Sequence, residues 1–262
     1  MKKIQTIIRK EWAEVFKNRL VLFTVAFLPL ILTALPLITL ALTNSFSGDM
    51  ESMSTSSMDF FGEMCQGLSE ADCTNVYMLN IYTLMFMILP VAIPVTIAAY
   101  SIVGEKTARS LEPLLATPIT TVELLVGKMV AACIPAVAAT WLAFLIYAIG
   151  AWFMVNDVVF AQAMKPMWLL AIFLVSPLLT LLAVSVAVMV SSRVTDPRVA
   201  EQLSALVIMP LILLVVGQSV GLVLINEQII ALIGVVVAVA DAVLVYLSVK
   251  LFQREAILTR WK

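Results

Sequence analysis

The sequence has 262 residues, of which 62% are hydrophobic and 13% are charged, and its formal net charge is −1. A soluble domain of this size could not bury so much apolar surface, and a chain with almost no net charge is poorly suited to bind nucleic acid. There is no histidine, which excludes histidine metal ligands, histidine general bases and histidine proton relays. The composition therefore predicts a membrane protein.

The first 19 residues predict an amphipathic helix at the membrane surface. Three isoleucines, Trp12 and Phe16 share one broad apolar arc, and most of the lysines and arginines lie opposite it. Such a helix lies in the plane of an anionic membrane surface. Glu11 falls inside the apolar arc, where a carboxylate is unfavourable unless a cation or hydrogen-bond donors meet it. We therefore predict that Glu11 pairs within the protein; the alternative is a carboxylate solvated at the rim. The candidate partners are Arg193, Arg198, Lys106 and Arg109.

Apolar runs long enough to cross a bilayer follow this segment, since each exceeds the roughly 20 residues that a membrane helix needs. The predicted fold class is an all-α membrane protein, in which residues 1–19 form the in-plane helix and residues 20–262 form a six-span transmembrane domain. In the fifth run, Gly217 and Gly221 have a spacing that can form a helix-packing face. The six predicted spans cover residues 20–42, 76–103, 124–154, 167–190, 203–225 and 229–252.

The distribution of basic residues predicts the orientation of these spans. All 16 lysines and arginines except Lys165 fall at the two termini, between residues 104 and 128, or in the loop after the fourth span. The positive-inside rule therefore places both termini and the loop of residues 104–123 in the cytosol. The loop of residues 43–75 is then on the outer side.

The outer loop holds two cysteines, Cys65 and Cys73, and has no lysine or arginine. Disulfides persist on the non-cytosolic side of a membrane, and a short separation suits a local bridge. We predict a Cys65–Cys73 disulfide, with two free thiols as the alternative. Cys133 lies inside the third span and is expected to stay reduced.

The cytosolic loop of residues 104–123, called the coupling loop below, has signals for two short helices. In helical projection, Glu105, Arg109 and Glu112 share one stripe, and leucines cover the opposite side. Thr117 precedes a proline, which ends the first helix near residue 116. Thr120 and Glu123 have the spacing of a capping box and begin the second helix. The loop is therefore predicted to be a helical elbow between spans two and three.

Asp241 lies about midway along the sixth predicted span, among alanines and valines. A charged side chain at that depth costs roughly 2.5–3.5 kcal/mol, so we expect it to face protein or a cavity. It either fixes the packing of the sixth span or contacts a cation or the transported molecule.

The coupling loop also shows a family resemblance. Its run from Leu111 to Pro118, Leu-Glu-Pro-Leu-Leu-Ala-Thr-Pro, and the closing Gly127-Lys128 resemble the cytosolic loop of the ABC type-2 export permeases, in particular the sodium-efflux-like branch. The N-terminal Arg-Lys-Glu-Trp, ending at Trp12, is also similar to the first segment of that family.

The resemblance implies that the coupling loop docks on a separate ATPase subunit. It further implies two ATPase copies, a second permease copy that is identical or a close paralogue, and the plasma membrane of a prokaryote. The residues assigned to ATPase coupling are Glu105, Arg109, Glu112, Leu114, Leu115, Ala116, Thr117, Pro118, Thr120 and Glu123.

The sequence has no motif for catalysis or nucleotide binding. Gly127-Lys128 is followed by Met129 rather than by Ser or Thr, so it does not form a phosphate-binding loop. We predict that the chain is not an enzyme and binds no cofactor or metal, with ATP and Mg²⁺ on the partner ATPase. The alternative function is a self-sufficient secondary transporter or channel. Such proteins usually need several polar or charged groups at membrane depth, and here only Asp241 is deep.

Overall fold

The computed structural model describes residues 2–46, 69–107, 120–223 and 225–251, and within these ranges the regular structure is entirely helical. The helices are α1 (Lys2–Val15), α2 (Arg19–Phe46), α3 (Glu70–Phe86), α4 (Leu89–Thr107), α5 (Thr121–Met154), α6 (Asp157–Ala163), α7 (Pro166–Leu170), α8 (Ser176–Ser191), α9 (Pro197–Ser204), α10 (Met209–Ser219) and α11 (Glu227–Leu251).

Among the described residues, six helical segments are long and apolar enough to cross a membrane, which confirms the predicted all-α fold class. We number them spans one to six. Span two combines α3 and α4, span four combines α7 and α8, and span five combines α9 and α10. The segments are Val21–Thr43, Asp72–Glu105, Val122–Met154, Pro166–Ser191, Pro197–Ser219 and Glu227–Lys250.

The three composite spans are each interrupted just before a proline. Span two has a turn at Met87 and Ile88, ahead of Pro90. Span four has a π-helical turn at Ala171–Val175, ahead of Pro177, and span five has a 3₁₀ turn at Ala205–Ile208, ahead of Pro210. A proline has no N–H and its ring clashes with the carbonyl four residues earlier, so these breaks are where the α-helical ladder cannot continue.

Span five ends earlier than the sequence predicted. Gly221 has a φ of 81°, which places it in the left-handed region that favours glycine. The N–H of Leu222 donates to the carbonyl of Gly217 at 2.7 Å, and the N–H of Gly221 donates to that of Gln218 at 3.1 Å. This is the Schellman arrangement that closes a helix. Gly217 and Gly221 therefore do not form the suggested packing face, because the second glycine terminates the helix.

Span two is the centre of the bundle. In its most apolar stretch 78% of the residues are buried, against 17% in spans one and five. Its second half, α4, packs most extensively against α8 and also contacts α5, α9 and α1. Spans one and six lie at the periphery and expose large apolar side chains such as Leu30 and Val235. Lipid tails solvate such side chains as well as protein does.

Candidate functional site

Two helices, α4 and α5, flank the coupling loop, and the start of α5 is capped. α4 ends at Thr107, and α5 begins after Thr120. The Thr120 hydroxyl accepts from the Glu123 N–H at 3.2 Å, and the Glu123 carboxylate accepts from the Thr120 N–H at 2.9 Å. This capping box stands where the sequence predicted the second helix start. The other assigned loop residues lie outside the described residues: Arg109, Glu112, Leu114, Leu115, Ala116, Thr117 and Pro118.

The N-terminal helix α1 runs beside the first third of α5. Lys3 lies 4.0 Å from Glu123, and the indole N–H of Trp12 donates to the carbonyl of Ala131 at 2.9 Å. Between these contacts, Ile7 packs directly on Gly127; a Cβ at Gly127 would lie 2.8 Å from the Ile7 side chain. Each pair is separated by nearly the same number of residues, so the two helices run side by side in the same direction.

The position of α1 on the headgroup layer stays a prediction, and part of its apolar arc packs within the chain. Ile7 and Val15, both in the apolar arc, are buried by other helices of the chain. Only part of the arc, such as Phe16, is exposed. Gly127, which has no Cβ, allows Ile7 of α1 to approach α5 closely.

Five polar residues meet where α1, α4 and α5 come together, and we call them the buried ion cluster: Lys10, Glu11, Ser101, Glu105 and Lys128. The ammonium of Lys128 lies 2.6 Å from a Glu11 carboxylate oxygen and 2.8 Å from a Glu105 carboxylate oxygen. It also donates to the Ser101 hydroxyl at 2.9 Å, and that hydroxyl donates to Glu11. Lys10 donates to the other oxygen of Glu105.

The charges of this cluster balance, since two lysines meet two glutamates. Glu11, Glu105 and Lys128 are 2%, 5% and 6% exposed, so their attraction is not screened by water. Removing charges from water costs several kcal/mol for each ion, and only good geometry with further hydrogen bonds offsets that cost. Here each buried charge has at least one opposite charge within 3 Å. The cluster therefore joins α1, α4 and α5. Removing one of its charged groups would leave another charge buried without its partner, which destabilises the fold.

Lys10 stands at the edge of the cluster. Its side chain is 37% exposed, and it also lies 3.5 Å from Glu14 on the next turn of α1. Partial burial lowers the pKa of Lys10, but the hydrogen bond and negative charge of Glu105 outweigh it, so the pKa is raised above the ordinary value. Lys10 thus stays protonated and supplies the second cation of the cluster.

The cation that meets Glu11 is not among the candidates that the sequence suggested. Lys128 is the partner, whereas Arg193 and Arg198 are exposed and make no ion pair within the described part of the chain. The side chain of Lys106 and the whole of Arg109 lie outside the part of the chain that the structure describes. A usable signal was present in the sequence, because Lys128 falls inside the apolar run of residues 124–154 and itself requires an anion.

Asp241 lies on the face of α11 that packs against α8. Two contacts bracket it: Gly234 approaches Val175, and the Ser248 hydroxyl donates to the carbonyl of Ser185 at 3.4 Å. The Asp241 side chain is buried, and neither of its carboxylate oxygens has a hydrogen-bond partner among the described residues. Among the described residues, the carboxylates of Glu11 and Glu105 are thus buried in ion pairs, whereas the carboxylate of Asp241 is buried without a hydrogen-bond partner.

The cysteines are separated by environment. Cys73 is disulfide-bonded, and Cys133 in span three is a free thiol. Cys65 lies outside the described residues, so the Cys65–Cys73 bridge remains a prediction. Within the described ranges, no group of three or more potential metal-binding side chains occurs.

Comparison with known protein families gives a match that covers most of the chain. Residues 5–246 match the family model described as "ABC-2 family transporter protein". Comparison with curated proteins gives no match. The matched range includes most of α1, the coupling loop and most of span six.

Proposed function

Because this chain belongs to the ABC-2 transporter family, we propose that it is the permease subunit of an ATP-driven exporter. The family membership confirms the resemblance seen in the coupling loop, and with six apolar helices it makes the chain a multi-pass membrane protein. Our proposal adds two permease copies over two ATPase subunits, outward transport, and cytosolic termini in a prokaryotic plasma membrane. The sodium-efflux branch remains a prediction.

The observation that carries this proposal is the salt bridge between Glu105 and Lys128, at 2.8 Å. Glu105 lies two residues before the last residue of α4, and Lys128 lies two turns into α5. The two stems of the coupling loop are thus joined directly beneath it. Glu11 joins α1 to the same lysine. A force applied to the loop would therefore reach three helices together.

The stems lead into spans two and three, which explains why this position suits coupling. Span two is the most buried of the six, so a shift of α4 must be accommodated by most of its neighbours. Packed interiors change between discrete arrangements rather than deforming continuously. We propose that closure of the ATPase pair pushes the coupling loop, and that the buried ion cluster transmits this movement as one rigid unit.

In this scheme the chain itself performs no bond chemistry. ATP and Mg²⁺ bind to the partner subunits, and this chain supplies the pathway and the docking surface. Glu123, which caps α5, and the loop leucines Leu114 and Leu115 form the proposed contact with the ATPase. The apolar loop residues need such a partner because a leucine face left in water is unfavourable.

One observation favours the second candidate, a self-sufficient secondary transporter. Asp241 is buried without a visible partner, and ion-coupled transporters use such carboxylates at membrane depth. The two candidates differ in a simple way: the secondary transporter works in vesicles that contain only this chain and an ion gradient.

The test of the proposed function is purification of the tagged chain from its native membrane, followed by an ATP hydrolysis assay. We expect an ATPase subunit to co-elute and to hydrolyse ATP. Replacing Leu114 and Leu115 with Asp should release that subunit while membrane insertion is retained. The matched control places the same two charges in the outer loop, by Met64→Asp and Leu68→Asp, and should leave the complex intact. Transport by the purified chain without any ATPase would overturn the proposal.

A further inference from the structure

Prolines inside the membrane-spanning helices leave carbonyl groups without a backbone donor, and the carbonyls of Ala131 and Ile172 are two of them. In α5, Pro135 has no N–H to offer to the carbonyl of Ala131, four residues earlier. In the π-helical turn of span four, the N–H of Ser176 donates to Ala171. The next residue that could serve Ile172 is Pro177, which again has no N–H. An unsatisfied carbonyl in a lipid environment is costly, because no water is there to replace the lost donor.

A tryptophan from another helix meets each of these two carbonyls. The indole N–H of Trp12, on α1, donates to Ala131 at 2.9 Å. The indole N–H of Trp141, on α5, donates to Ile172 at 3.1 Å. The ring of Trp141 also packs on Phe173, with centroids 5.4 Å apart, which fixes its position. Indole is suited to this task since it carries a donor and no acceptor on a large apolar body.

We propose that Trp12 and Trp141 replace the backbone donors that Pro135 and Pro177 remove, and so set the local geometry of spans three and four. The two hydrogen bonds form a series, from α1 to span three and from span three to span four. α1 then supports the structure of span three, and it contacts that span where Pro135 interrupts the backbone hydrogen bonds.

This inference rests on the proposed function in one respect. If the coupling loop moves α1 through the buried ion cluster, Trp12 carries that movement to the proline position of span three. Glu11 and Trp12 are adjacent in sequence, so the ionic contact and the indole contact move together. The hydrogen-bond substitution itself is independent of any ATPase and can be tested on the purified chain.

The test is a pair of double-mutant cycles read by thermal unfolding in a fixed lipid or detergent. Trp12→Phe keeps an aromatic ring and removes the donor, and Pro135→Ala restores the N–H that Ala131 lacks. We expect Trp12→Phe to lower the unfolding midpoint by about 2–4 °C, the shift typical of one lost hydrogen bond in a chain of this size. In the Pro135→Ala background the shift should fall below half of that value. The second cycle pairs Trp141→Phe with Pro177→Ala and has the same expected pattern.

A control separates the donor from the shape of the ring. Trp152, an exposed tryptophan for which the described part of the structure shows no indole hydrogen bond, should tolerate replacement by Phe in every background. Should Pro135→Ala fail to fold, incorporation of benzothienylalanine at position 12, which keeps the bicyclic shape without an N–H, gives the same measurement. Equal shifts for Trp12→Phe in both backgrounds, or no shift with benzothienylalanine, would overturn the inference. Absence of a co-eluting ATPase would overturn only the proposed function.

Discussion

Two regions of this molecule bury carboxylates in opposite ways. At the junction of α1, α4 and α5, Glu11 and Glu105 meet Lys128 and are satisfied within 3 Å. On span six, Asp241 is equally buried and has no hydrogen-bond partner among the described residues. Three separate elements converge to pair the first two charges, whereas Asp241 lies on the face of α11 that packs against α8. The difference indicates that the ion pairs of the first region join three helices, whereas Asp241 joins none through a hydrogen bond among the described residues.

The largest expected effect comes from removing the shared cation of the buried ion cluster. Lys128→Met leaves two buried carboxylates close together with only Lys10 at the edge, and we expect a loss of about 3–5 kcal/mol in the free energy of unfolding. Chemical or thermal unfolding of the purified chain measures this loss. The matched control is Lys165→Met, which removes an exposed lysine and should change the value by under about 0.5 kcal/mol. Equal effects of the two variants would show that the buried ion cluster stabilises the fold no more than an exposed lysine does.

Neutralising one anion of the cluster should cost less. Glu11→Gln keeps a hydrogen-bond acceptor for Ser101 and Lys128 and leaves Glu105 to balance the charge, so we expect a loss of about 1–3 kcal/mol. Glu14→Gln, on the exposed face of the same helix, serves as the control. Combining Glu11→Gln with Lys128→Met should cost clearly less than the sum of the single effects, because the two residues are in contact. Additive losses would show that they act independently.

Asp241 should respond in the opposite direction. Asp241→Asn breaks no ion pair among the described residues and removes a charge that is costly to bury, so we expect the free energy of unfolding to stay constant or to rise by about 1 kcal/mol. An export assay of the same variant then separates the two roles left open by the sequence. Normal export assigns Asp241 to packing, and loss of export in an assembled complex assigns it to the pathway. A loss of stability as large as that of Lys128→Met would show a hidden partner.

Within the buried ion cluster, the smallest loss of stability is expected at its edge. Lys10→Met removes a cation that is more than one third exposed, so solvent screening limits the loss to about 0.5–1 kcal/mol. Because the pKa of Lys10 is raised, its contribution is fully present below the ordinary value of 10.5 and is lost as the pH rises above it. Unfolding measured at neutral pH, with Lys3→Met as the exposed comparison, checks this order. A loss above that of Glu11→Gln would contradict it.

Much of the fold follows from local pattern, because lipid imposes simple rules on a chain. Apolar runs of sufficient length must become helices, and the capping box at Thr120 begins a helix wherever it occurs. The place of Glu11 in the apolar arc showed that it required a partner, but the choice of Lys128 depends on how α1 lies beside α5. That packing is set by contacts such as Ile7 on Gly127, across 120 residues of sequence, and no local pattern contains them.

Two further features were within reach of the sequence but were interpreted differently or passed over. Gly221 was considered as a packing residue, although a glycine just after an apolar run is also the usual terminator of a helix. Pro135 implies a carbonyl in span three without a backbone donor, but no local pattern identifies Trp12 as the replacement donor. The donor and the proline come from elements that meet only in the folded chain.

The separation between Glu11 and Lys128 also has a consequence for the order of synthesis. The two residues are 117 positions apart, so at about 5–20 residues per second the ribosome needs roughly 6–23 s to deliver the partner lysine. During that time α1 is a 14-residue helix with no protein groove to occupy, and an isolated helix of that length is marginal in water. The nascent segment has an apolar arc and a basic face that suit the membrane surface, so we expect it to bind the headgroup layer during this interval. We therefore expect α1 to bind the membrane surface first and to pack on α5 once the start of α5 has emerged.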